Sequence, residues 1–248
     1  MKLRRLATYE LSALAVIGFI IDHYGSAFFP QEPWMRQLKF CALFWFFPCG
    51  YNSGWQVSDR LWMGLVLVTA ANVFAGLGFF PLNALATLIA IKYLLDPMME
   101  FCTQNPRRFL ATQAALVLLI PSTFDLLQFG TLGFIIAEAG WLVRHRDRLV
   151  HGRVVAAWFL VFMAVIFAAC LYIFLGQMDY APLWIAVSIG VASWYMWDYR
   201  GSVMEAVRHP PKIFYSRAIS YIGHHSLEIF VAHMLIIRAL GYFVYGAH

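Results

Sequence analysis

Leu11 to Phe29 reads LSALAVIGFIIDHYGSAFF. The run is long enough to cross a bilayer, which takes about 20 apolar residues, yet it carries Asp22 and His23 side by side. Ionisable groups are costly at membrane depth and usually face a bundle interior, a water-filled cavity or one another. The pair is therefore read as a candidate site. The bland alternative is that both sit near the outer boundary, just before the chain exits at Phe29 and Pro30, and reach toward water.

The whole chain shares this character. Of its 248 residues 62% are hydrophobic and 12% charged, with a mean hydropathy of +0.68, where a soluble domain carries about 25% charged residues. Apolar segments recur from end to end with short polar connections, so one polytopic all-α transmembrane bundle is expected over 1–248, a single domain. Candidate spans run 8–29, 38–54, 61–79, 81–96, 109–121, 124–143, 154–176, 181–198 and 218–245. Several are shorter than a straight spanning helix needs.

Short cytoplasmic loops are rich in Lys and Arg. With the N-terminus inside, nine spans put Lys2, Arg4, Arg5, Arg60, Arg107, Arg108, Arg144, Arg146, Arg148, Arg153, Arg200, Arg208, Lys212 and Arg217 on the cytoplasmic side. Only Arg36 and Lys39 fall clearly opposite, and Lys92 and Arg238 lie within spans. Topology accounts for the net charge of +5, so nucleic acid is not an expected partner and the bilayer is. The loops Arg144 to Arg153 and Arg200 to Arg217 could in addition hold a phosphorylated cofactor or lipid head groups.

The basic start followed by an apolar run is similar to a signal peptide, but Glu10, Asp22 and His23 interrupt it and many spans follow, so a retained first helix is expected. Cys41, Cys49, Cys102 and Cys170 have no paired metal-type spacing and read as packing residues. No glycine-rich nucleotide loop or HExxH helix occurs.

On the last span, Tyr221 to Arg238 reads YIGHHSLEIFVAHMLIIR, placing His224, His225, Ser226, Glu228 and His233 in or just before an apolar helix. No two of these histidines show the i, i+4 spacing of a helical two-histidine metal site, so no metal is expected. For His233 an interhelical hydrogen bond is as good a reading as chemistry. Between the two ends, RQLKFCALFWFFPCGYNS, Arg36 to Ser53, joins the outer charges Arg36 and Lys39 to Pro48, Gly50 and Asn52, which break or loosen the second helix, either as a kink that only serves packing or to expose backbone groups to a ligand. Glu138 and Asp198 are further buried or boundary acids.

IIDHYG, FFPCGYNSGW and ISYIGHHSLEIFVAH together resemble the TraX family of F-pilin acetylation proteins over nearly the whole chain. SLEIFVAH is also similar to the broader multi-spanning membrane acyltransferases. The resemblance implies a bacterial inner-membrane enzyme that moves acetyl from acetyl-CoA to the N-terminal amine of a pilin subunit. It sets the family's DH motif on Asp22 and His23, and its basic residue on Arg36 or Lys39, although here the charge is split between two residues and Pro48 comes late. On this reading His23 is a general base, Asp22 or Glu228 orients it, and Arg36, Lys39, His233 or backbone groups around Pro48 to Gly50 stabilise the oxyanion. Arg144, Arg146 and Arg148 are then expected to hold coenzyme A phosphates. Rival classes are an O-acyltransferase acting on a sugar or lipid, a transporter using the same polar groups as a proton relay, and a non-enzymatic pilus-assembly partner.

Overall fold

The computed structural model describes residues 8–54, 56–175, 181–197, 199 and 214–245. Among them every regular element is helical, apart from one isolated bridge between Leu82 and Leu127. The helices are α1 (Thr8–Phe28), α2 (Pro33–Gln37), α3 (Leu43–Tyr51), α4 (Asp59–Phe74), α5 (Ala84–Thr103), α6 (Pro106–Leu118), α7 (Ile120–Phe124), α8 (Gly130–His145), α9 (Gly152–Leu175), α10 (Ala181–Trp197), α11 (Phe214–His224) and α12 (Ser226–Tyr245), with a 3-10 turn at Leu38–Ala42. Three stretches are long and apolar enough to cross a membrane: Thr8–Phe28, Gly152–Ile173 and Ser226–Phe243.

Local chemistry sets the helix starts. Ser58 accepts from the Leu61 N–H, Asn83 from the Leu85 N–H and Asn105 from the Arg107 N–H, each satisfying an orphan donor of a first turn. Pro106 sits at the first position of α6, where its missing N–H is harmless.

Helix breaks fall elsewhere than the prolines suggest. Pro48 lies inside α3, and the second span is instead broken earlier, into α2, the 3-10 turn and α3. Gly50 lies against the main chain of Ala137, and Gly140 against that of Phe47, so α3 and α8 meet backbone to backbone. Of the two readings of Pro48 to Gly50, Gly50 fits packing: it lies against main chain and is not offered to a ligand. Pro97 likewise fails to end α5 at Asp96, because Met99 and Cys102 one turn on are fully buried in the core. The last span, 218–245, is divided at His225 into α11 and α12.

Contacts between helices fix their directions. Gly18 and Gly25 of α1 lie against Cys41 and Met35, so the α2–α3 segment runs back along α1. Arg60 meets Glu228 and Asn72 meets Arg238, so α4 and α12 run together. In the same way α5 runs with α8, through Thr87 beside Gly133 and Asp96 bonded to Trp141. The start of α1 is anchored where Thr8 hydrogen-bonds Tyr199 and Tyr9 stacks on His224, with ring centroids 5.1 Å apart.

Candidate functional site

Asp22 and His23 lie in the last third of α1, and His233 lies two turns into α12. The parallel packing of these helices brings them together: His23 Nδ1 is 2.9 Å from His233 Nε2, and the two rings stack at 5.3 Å with 13° between their planes. His23 Nε2 is 3.9 Å from Asp22 Oδ2, although the residues are neighbours about 100° apart around the helix. Asp22 is 1% exposed and His233 8%, so the cluster is interior and not a boundary feature reaching for water.

Hydrogen bonding determines the tautomers. His233 Nδ1 lies 3.2 Å from the Ile229 carbonyl, which can only accept, so that nitrogen carries the hydrogen. The Nε2 of a neutral His233 then accepts from His23 Nδ1–H. His23 Nε2 is left with its lone pair, beside a carboxylate oxygen too far away for a direct hydrogen bond. Asp22 Oδ1 has no partner among the described residues.

Aromatic rings enclose the imidazoles. Phe19 stacks on His23 at 6.0 Å, Phe230 stands edge-on to His233 at 5.1 Å, and Trp45 packs against both phenyl rings. Sequence reading passes over Phe19 and Phe230, yet a signal exists: they precede His23 and His233 by four and three residues, the helical neighbour spacings. Lys39 and Arg36 act electrostatically on Asp22, and Lys39 also on His23. Arg36 keeps a buried Nε with no partner among the described residues.

The remaining candidates lie apart from this cluster. Glu228 pairs with Arg60 at 3.2 Å on an exposed face, so it does not orient His23. His224 and His225 are exposed, the first bonded to the Ser220 carbonyl. At the opposite end of the bundle Arg144 donates to the carbonyls of Tyr51 (3.0 Å) and Ser53 (3.4 Å), holding the end of α3. Arg146 donates to the Trp197 carbonyl and lies over its indole, holding the end of α10. Arg148 is exposed. Glu138 is fully buried in α8 beside Gln113. Asp198, Lys2, Arg4, Arg5, Arg200, Arg208 and Lys212 lie outside the described residues. Among the described residues no three His, Cys, Asp or Glu side chains are grouped to hold a metal ion.

Fold and site together define an all-helical protein with membrane-length helices and a buried Asp–His–His cluster inside an aromatic box. No family model, curated protein or solved structure matches the chain.

Proposed function

We propose that this chain is a multi-pass acetyltransferase of the bacterial inner membrane that moves acetyl from acetyl-CoA to the N-terminal amine of a pilin subunit. The reading rests on the resemblance to the TraX family and on one observation: His23 Nε2, the free base of the cluster, faces Asp22 Oδ2 across 3.9 Å. Two acceptors at that separation suit a group that offers two hydrogens. A primary amine can bond to both at once, whereas a hydroxyl has a single hydrogen and satisfies one. This favours an amine acceptor over the hydroxyl of a sugar or lipid.

The chemistry follows from the tautomers. An α-amino group has a pKa near 8, so about a tenth is neutral at pH 7. As its nitrogen attacks the thioester carbonyl, His23 Nε2 takes the departing proton, and the Asp22 carboxylate offsets the positive charge that gathers on the imidazole and the amine. The Arg36 and Lys39 cations, which already act on Asp22, offset the charge on the carbonyl oxygen. The attack forms the C–N bond; collapse of the tetrahedral intermediate then breaks the C–S bond, and His23 returns its proton to the leaving thiolate. His233 acts through His23, holding its Nδ1–H and so its reactive tautomer.

Nine crossings with a cytoplasmic N-terminus fit the alternating helix directions: the start of α1 lies at the same end as Tyr199 and the arginine contacts at Tyr51 and Trp197. On that topology Arg148 is the loop cation left for coenzyme A phosphates, with the spare N–H groups of Arg144 and Arg146 beside it. The deciding experiment is intact-mass measurement of pilin made with wild-type chain and with His23→Ala at equal membrane level. The wild type should add one acetyl group and the variant none. Equal masses in both would remove His23 as the base, and an unchanged pilin with wild type would remove the activity.

A further inference from the structure

The outer half of α12 carries a guanidinium that the acetyl-transfer scheme does not use. Arg238 lies on a helix apolar enough to cross a membrane. It is half-buried and gives its Nε–H to the neutral Asn72 Oδ1 at 2.9 Å. Among the described residues no carboxylate pairs with it. A cation at this depth without an acid is costly unless an anion comes to it.

Geometry provides a place for that anion. Arg238 borders a groove of about 390 Å³ between α4 and α12. Ala71, Ala75 and Ala239 line it, together with Phe74 and Tyr242, both exposed. One end is therefore cationic and the rest apolar, a pattern that complements an amphiphile and not a free ion.

We infer that the groove between α4 and α12 binds one anionic diacyl phospholipid, its phosphate on Arg238 and an acyl chain along Ala71, Ala75 and Ala239. The inference rests on the chain being a membrane protein and not on acetyl transfer. The four guanidinium N–H groups not given to Asn72 supply charge-assisted hydrogen bonds to the phosphate oxygens. The Phe74 and Tyr242 rings flank the chain as it leaves for the bilayer.

The test is native mass spectrometry of the full-length chain in detergent with equimolar phosphatidylglycerol and phosphatidylcholine of matched acyl chains. Wild type should retain phosphatidylglycerol about fivefold over phosphatidylcholine, the worth of one basic side chain toward an anionic lipid. Arg238→Gln should abolish that preference, and Ala239→Trp, which crowds the groove but keeps the charge, should lower retention of both lipids. Inorganic phosphate added in excess should not displace the lipid; displacement would make this a free-anion site. Equal preference in wild type and Arg238→Gln, or full retention in Ala239→Trp, overturns the assignment. Should Arg238→Gln fail to fold, Ala239→Trp decides alone. Because no acyl transfer is read out, failure here leaves the acetyltransferase reading standing, and the reverse holds too.

Discussion

His23 Nδ1 and His233 Nε2, 210 residues apart in sequence, are joined at 2.9 Å, and each fixes what the other can do. Loss of the base itself, in His23→Ala, should lower the rate of pilin acetylation by about 10² to 10⁴. His233→Leu should also be slow, because His23 is then free to adopt the other tautomer. His233→Gln keeps a side-chain oxygen able to accept from His23 Nδ1–H and should recover much of the rate that the leucine variant loses. A purely structural role for His233 predicts no such recovery. In the His23→Ala background, His233→Leu should have little further effect, leaving a coupling of about 0.5–3 kcal/mol in a double-mutant cycle on acetylation rate.

Asp22→Asn keeps the shape of the side chain while replacing the carboxylate with a neutral amide. That removes the negative charge that balances the imidazolium, 3.9 Å from His23 Nε2. Acetylation should fall by about 100-fold or more with unchanged membrane level and unchanged thermal midpoint. A wild-type rate would mean that Asp22 serves packing alone.

The α3–α8 contact makes a stability prediction independent of chemistry. A methyl group at Gly50 meets the carbonyl of Ala137, and one at Gly140 meets that of Phe47, so neither helix can give way through a side-chain rotation. Gly50→Ala and Gly140→Ala should each destabilise by about 1–3 kcal/mol, read as a lower midpoint of thermal unfolding in detergent. Gly190→Ala on α10, where among the described residues no atom beyond its own helical neighbourhood lies within 4 Å of the added methyl, is the control and should hold or raise the midpoint.

Glu138 has no charged partner among the described residues and both its oxygens are buried, with only the Gln113 amide for company. Glu138→Gln removes an ionisable group from the interior and keeps the volume, so the thermal midpoint should hold or rise. Glu138→Ala leaves a void where α6 and α8 meet and should lower it by about 2 kcal/mol or more.

How these residues read in sequence follows from what each depends on. All-helical structure is legible in the long apolar runs, and Asp22, His23 and His233 stand out against those runs as polar groups that need interior partners. The meeting of His23 with His233 was not, since it depends on the relative height of two helices that touch only in the folded bundle. Pro48 and Pro97 misled for a related reason: burial of Phe47, Met99 and Cys102 holds those helices through a residue that local rules treat as a stop. The roles of Arg144 and Arg146 were hidden because carbonyls at helix ends carry no side-chain signature.

Those arginines yield a prediction that separates structure from substrate. Arg144 gives one guanidinium nitrogen, Nη1, to the Tyr51 and Ser53 carbonyls, whereas Arg148, equally exposed, holds no helix end among the described residues. Arg144→Gln should therefore lower the thermal midpoint, by the equivalent of about 1 kcal/mol, because the end of α3 loses a charged donor. Arg148→Gln should leave the midpoint alone and raise the KM for acetyl-CoA, by about fivefold at low salt and less as salt screens the exposed charge. An unchanged KM in Arg148→Gln, measured with labelled acetyl-CoA on membranes of equal protein content, would move the phosphate contacts to the other basic loop, Arg200 to Arg217. A KM that rises without any salt dependence would point away from charge and toward the shape of the loop.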